Sequence, residues 1–198
     1  MSKRKICDRC ERPQTVCLCS ALVTLEADIQ LTIWQDPDES KHRLSTAPLL
    51  QKSIKGSRLL VGDQFEPQAF LGEHWRTDTL LLFPLENKPA LEPAQLVNPD
   101  GSVGFSNLLV LDGTWRKVKR LLLLNPWLTE LQHIQLNPAQ QSRYAPVRKS
   151  PREDGVSTLE ACVAALNMLH PTRDFSAVTG VLDRMVELQI QQRQQAQQ

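Results

Sequence analysis

The chain is poor in aromatic residues, carries almost no net charge, and has no long apolar run and no common nucleotide-binding signature. Aromatics make up 5% of its 198 residues, too few for a surface that binds single-stranded nucleic acid by stacking alone. The formal net charge is +1, so no global polycation is available, and a nucleic-acid contact needs local clusters of lysine and arginine. No stretch approaches the roughly 20 apolar residues of a membrane-spanning helix, and the basic segment at Met1 lacks the hydrophobic centre of a secretory signal. A cytoplasmic protein with no membrane partner is expected, with a monomer favoured. Neither GxGxxG nor GxxxxGK[ST] occurs, which removes the two commonest phosphate cradles. There is no H-E-x-x-H and no Ser–His–acid arrangement, and the four histidines are scattered. What remains is 41% hydrophobic and 23% charged, the composition of a globular domain with a sizeable core.

The cysteines are unevenly placed. Four of the five, Cys7, Cys10, Cys17 and Cys19, lie in CDRCERPQTVCLC. An odd total clustered in this way argues against a disulfide framework and for a reducing compartment. The spacing C-x2-C-x6-C-x-C lets four thiolates close around one tetrahedral zinc, a structural site with no open coordination position. An iron–sulfur cluster and free or redox thiols are the lesser alternatives. Arg9 and Arg12, with Lys3, Arg4 and Lys5, make this knuckle basic. Cys162, in an apolar helical stretch, reads as a small core residue. The chain is expected to divide into a zinc-binding knuckle over 1–24, a main domain over 25–192 and a disordered polar tail over 193–198.

Asp28 to Trp34, Ser57 to Gly62, Thr79 to Phe83, Leu108 to Leu111 and His133 to Leu136 read as strands. Ser45-Thr46-Ala47-Pro48 opens a helix that runs to about Ile54 with Pro48 in its first turn. Further helical segments follow Thr114 and Ser157, a short helical turn spans Trp127 to Leu131, and a last helix runs from about Ser176 to Gln189. Strands separated by helices or long crossovers, without tidy hairpins, favour an α/β fold with a mostly parallel sheet. Asp112 then lies at the carboxyl end of a buried strand, where open α/β sheets bind their ligands. Thr114 caps the next helix. Trp115, Val118 and Leu122 suit its sheet-facing side, and Arg116, Lys117, Lys119 and Arg120 point to solvent or to a polyanion. Beyond the first strand, His42, Ser45 and Thr46 sit on a candidate ligand loop. Tyr144, Arg148, Lys149 and Arg152 occupy a Pro- and Gly-containing loop whose cations suit phosphate or a carboxylate. Glu160 lies near the position of a capping-box acid. An enzyme acting on a polyanion such as RNA fits these features better than a binding module, since Asp112 and Glu160 repel phosphate.

Asp112-Gly113-Thr114-Trp115 resembles the signature of the DTW-domain proteins, the bacterial tRNA-uridine aminocarboxypropyltransferases. The likeness extends over the cysteine pattern with Arg12-Pro13, the Asp38-Glu39 to Thr46-Ala47 segment, Leu82-Phe83-Pro84, and DGTWRKVKRLLLLNP. Tyr144 with Arg148, Pro151 to Gly155 and Ser157 to Ala161 complete it in the same order. Family members often carry His-Pro where this chain has Asp36-Pro37, and Asn where it has Ser45.

The resemblance implies transfer of the 3-amino-3-carboxypropyl group of S-adenosylmethionine to N3 of a tRNA uridine, in well-known members that of the variable loop, with release of methylthioadenosine. It implies a SPOUT-like sheet with a C-terminal knot-like cofactor site. Asp112 would accept or orient the N3 proton, and Trp115 would shape the pocket or stack. Thr46, Tyr144, Arg148, Thr158 and Glu160 would line the cofactor or substrate site. A buried pairing of Asp112 or Glu160 with Arg148 is equally open. Arg116, Lys117, Lys119, Arg120, Arg143, Lys149 and Arg152 would hold tRNA phosphates. The alternatives are a SAM-dependent RNA methyltransferase and a non-enzymatic zinc-containing RNA-binding protein.

Overall fold

Strands buried on both faces require a layer of helices on each side. β3 (Thr79–Leu82) and β4 (Asn107–Asp112) are buried along their whole length, and β1 (Gln30–Gln35) at every position but its first. With β2 (Arg58–Val61) and β5 (Gln132–Ile134) they form a sheet ordered β2-β1-β4-β3-β5, parallel at every pairing. The computed structural model describes residues 5–86, 88–136, 142–147 and 155–196. This all-parallel α/β sheet is consistent with a SPOUT-like topology.

Alternate residues of the strands feed two cores. Leu31, Ile33, Leu80, Leu82, Leu108, Val110 and Ile134 pack with α2 (Ala47–Ser53), α6 (Thr158–Leu169) and α7 (Gly180–Gln195). Trp34, Leu81, Leu109 and Leu111 pack on the other face with α3 (Pro67–Leu71), α4 (Trp75–Asp78) and α5 (Trp115–Leu124). On α5 Val118 and Leu121 are the buried sheet-facing pair, and the expected Leu122 packs half-buried against the same core. Trp115, at the start of the helix, packs instead on the Phe83 ring, 5.4 Å between centroids.

Local chemistry also sets element ends the sequence pattern leaves open. The Asp36 carboxylate accepts from the amides of Asp38 and Glu39 and so starts α1 (Pro37–Ser40), inside a segment that reads as loop. α7 continues to Gln195, past the expected fraying point, and the Arg193 guanidinium on its last turn donates to the Pro146 and Val147 carbonyls. Cys10 and Leu18 of the N-terminal knuckle are buried in the α2-side core. Among the described residues no helix is long and apolar enough to cross a membrane.

The connections from β1 and from β4 diverge: β1 leads outward to β2, whereas β4 leads past β3 to β5. Adjacent strands whose crossovers part in this way open a crevice at their carboxyl ends. Gln35 and Asp112, the last residues of β1 and β4, are register partners there.

Candidate active site and metal centre

Asp112 is nearly buried and held from two sides. The Gln35 amide donates to its Oδ2 at 2.7 Å and to the Ser45 hydroxyl at 2.7 Å. The Thr158 hydroxyl donates to Oδ1 at 2.5 Å. The Asp36 N–H donates to the Asp112 carbonyl at 2.9 Å and locks the two strand ends together. Donors from β1 and α6 to its two oxygens fix the orientation of this carboxylate. Gln35 is 1% exposed and sequence reasoning missed it. The available signal is a lone polar residue closing an apolar strand, one position before the turn.

Two cavities meet beside this carboxylate. The polar one, about 160 Å³, is lined by Glu39, Ser45, Thr46, Asp112, Thr114, Ser142, Tyr144 and Ser157. The apolar one, about 150 Å³, is lined by Leu82, Phe83, Pro84, Val110, Ile134, Leu136, Val156 and Ala161. Trp115 and Thr158 belong to both walls. Of the expected site residues, Asp112, Trp115, Thr46, Tyr144 and Thr158 therefore come together around one space. Glu160 does not line the polar cavity. Arg148, Lys149 and Arg152 lie outside the described residues.

Glu160 has a different placement, one turn into α6. Ser157 and Glu160 form a reciprocal capping box, and Glu160 also accepts from the Ser142 hydroxyl and the Arg143 amide, both at 2.7 Å. It thereby ties the 142–147 segment to the helix whose first residue, Thr158, touches Asp112. From that segment the Tyr144 hydroxyl donates to the Leu44 carbonyl, and from the knuckle Arg12 reaches the Ser45 carbonyl at 3.4 Å. The loop carrying Ser45 and Thr46 is thus gripped from both directions. We expect Glu160→Ala to lower stability by about 1–3 kcal/mol, the range for losing a cap and leaving partly buried donors without acceptors. Thermal unfolding checks this, and an unchanged Tm would remove Glu160 from the scaffold.

The expected RNA-contacting cations are mostly engaged within the chain. Lys117 pairs with Glu39 at 3.0 Å and Asp36 at 3.6 Å, Lys119 with Glu86 at 2.9 Å, and Arg120 with Asp63 at 2.8 Å and Asp36 at 3.4 Å. Arg143 pairs with Asp183 at 2.7 Å. Arg116 is exposed, with no ion-pair partner among the described residues. Lys117 departs furthest from the expected solvent-facing role, because its carboxylate partners are buried. Asp36 faces α5 and the α1 amides and is not part of the polar cavity wall.

The four N-terminal sulfurs converge. The Sγ atoms of Cys7, Cys10, Cys17 and Cys19 all lie within 4.8 Å of one another, with Cys7–Cys19 at 3.4 Å and Cys10–Cys17 at 3.7 Å. A tetrahedron with Zn–S bonds of about 2.3 Å has S–S edges of about 3.8 Å. Backbone amides of Cys10 and Arg9 donate toward the Cys7 sulfur and hold its thiol down at about 6, whereas the hydrogen bond to Cys7 pushes the Cys19 thiol up to about 12. The turn is closed by Cys7 N–H to Arg12 carbonyl and Glu11 N–H to Cys7 carbonyl bonds, both 2.8 Å. Donor type, number and spacing fit a soft tetrahedral ion, and the cluster is able to chelate a metal.

Comparison with known proteins places this geometry in context. The DTW domain matches residues 4–190. The chain is similar to tRNA-uridine aminocarboxypropyltransferase 2 of Drosophila melanogaster, 32% identical over 176 residues, covering 85% of this chain and 68% of that protein. It is 34% identical over 174 residues to the Mus musculus protein of that name, covering 84% of this chain and 57% of the relative. It is 26% identical over 223 residues to tRNA-uridine aminocarboxypropyltransferase A of Arabidopsis thaliana, covering 94% of this chain and 81% of that protein. The chain thus spans little more than half the length of the mouse relative. No solved structure matches it. With the family's match running from the knuckle through α6 into α7, the chain belongs to the DTW domain family.

Proposed function

We propose that this protein transfers the 3-amino-3-carboxypropyl group of S-adenosylmethionine to N3 of a uridine in tRNA, releasing methylthioadenosine. The observation that carries the reading is the Asp112 carboxylate, oriented by Gln35 and Thr158 where a polar and an apolar cavity meet. The names of the relatives support the substrate class. In the transfer, the N3–carbon bond forms as the carbon–sulfur bond of the sulfonium breaks, sulfur keeps the electron pair, and the N3 proton leaves. When bound, S-adenosylmethionine supplies a sulfonium leaving group, so much of the rate comes from positioning. Asp112 receives or orients the N3 proton. The apolar cavity beside Trp115 suits an adenine, and Thr46, Tyr144 and Thr158 offer polar groups to the transferred chain or the base. Glu160 completes the cofactor site by holding its wall through Ser142 and Arg143, and Arg148 is assigned to the cofactor by resemblance alone. In this reading the cofactor site is of the SPOUT-like, knot-like kind, zinc fills the knuckle, and the acceptor is the variable-loop uridine of a cytoplasmic tRNA.

Nucleoside mass spectrometry of tRNA incubated with S-adenosylmethionine, with and without the protein, tests this. The expected product is an aminocarboxypropyl uridine with stoichiometric methylthioadenosine. A methyl adduct would instead make the protein a methyltransferase, and unmodified tRNA that binds tightly would make it a non-catalytic RNA-binding protein.

A further inference from the structure

The charge around the site is distributed unevenly. On the α5 face, Arg116, Lys117, Lys119 and Arg120 stand against four carboxylates, Asp36, Glu39, Asp63 and Glu86, each within ion-pair distance of one of them. That face is neutral. The knuckle face differs. Glu11 is taken up by Lys52 at 3.0 Å, and Asp38 by Lys41 at 3.2 Å. Lys5, Arg9, Arg12 and Arg43 have no carboxylate within ion-pair distance among the described residues, and Asp8 is the one exposed acid there left uncompensated. Arg12 and Arg43 come from segments 31 residues apart, and they are brought together where the knuckle packs on the 41–46 loop. The Arg12 bond to the Ser45 carbonyl fixes this juxtaposition two residues beyond Arg43. Ser45 and Thr46 then line the polar cavity that holds Asp112.

We propose that this face, built from the knuckle and the 41–46 loop, is the phosphate-binding surface for the RNA, with Arg9, Arg12 and Arg43 as its main contacts. Arginines with no carboxylate partner gain from a polyanion, and Arg suits phosphate through its planar fork of donors. Neutral α5 has little to gain from one. A nucleotide whose base enters the polar cavity carries its flanking phosphates past the cavity rim, where the 41–46 loop and Arg12 lie. The metal knuckle thereby acquires a part in RNA recognition beyond its own folding. This inference rests on the RNA substrate proposed above.

The test is binding of unfractionated tRNA by the full-length, metal-loaded chain across a salt series. Arg9 and Arg43 are exposed, so the double variant Arg9→Ala/Arg43→Ala should keep its metal content and Tm. Each lost phosphate contact reduces the slope of log K against log salt by about 0.7–0.9, so the slope should fall by about 1.4–1.8 in the double variant. Lys119→Ala/Arg120→Ala, the matched α5 variant, should leave the slope as it is. An unchanged slope in the Arg9/Arg43 variant, or an equal fall in the α5 variant, overturns the assignment. If both variants and the wild type transfer normally, the enzymatic reading survives that failure. A wild-type chain whose tRNA affinity does not depend on salt removes both.

Discussion

Asp112→Ala should reduce transfer by about 10²–10⁴-fold, the range that a positioned proton acceptor contributes, while most of the protein remains folded. The carboxylate lies between Gln35 and Thr158, so its removal leaves the buried Gln35 amide and the half-buried Thr158 hydroxyl short of an acceptor. That costs about 1–3 kcal/mol for each donor, a large part of the 5–15 kcal/mol typical of a domain but not all of it. Circular dichroism and turnover must therefore be measured on the same sample. Thr158→Val separates the two contributions. It removes one donor and keeps the carboxylate, so it should lower the rate through misorientation by less than Asp112→Ala does. A folded Asp112→Ala protein with full activity would exclude the residue from the chemistry. An unfolded one, beside an active Thr158→Val, would make it a strut between β1, β4 and α6.

The second large effect is loss of the metal centre. Cys10→Ser, or exhaustive chelation, should strip the metal and lower stability by several kcal/mol, because structural zinc in small knuckles supplies most of their folding free energy. Here the consequence reaches further than the knuckle itself, since Cys10 and Leu18 belong to the same core as α2, α6 and α7. Arg12 would also lose its hold on the Ser45 carbonyl. Metal analysis with thermal unfolding reads this directly, and a chelated protein with the Tm of the loaded one would contradict it. Cys162→Ser is the control. Its thiol is fully buried and pushed up by that burial, so it should lose packing but no metal.

Several parts of the site were legible because they obey local rules. Asp112 follows an unbroken apolar run, Ser157 and Glu160 have capping-box spacing, and the cysteines have the spacing of a metal knuckle. Gln35 was hidden for a physical reason. Its significance lies in register with a strand 77 residues away, and pairing of parallel strands across a crossover leaves no mark on local periodicity. Lys117 was misjudged for another reason. Helical phase places it near the solvent-facing side, yet the carboxylates that draw it inward sit on a four-residue helix that reads as loop. The end of α7 was likewise invisible, since a glutamine-rich stretch looks frayed until Arg193 is seen on the Pro146 and Val147 carbonyls.

The register pairing of Gln35 with Asp112 has a bearing on how this protein can change over evolutionary time. Insertions between Pro84 and Gly104 lengthen a connection without moving either strand end, and loop growth is cheap in free energy. A single-residue deletion within Leu31–Trp34 is different. It would bring Gln35 to the opposite face of the sheet and send Trp34 or its neighbour toward the wrong core. Lineages carrying this domain should therefore vary freely in loop length while the first and fourth strands keep a fixed count of residues to the turn.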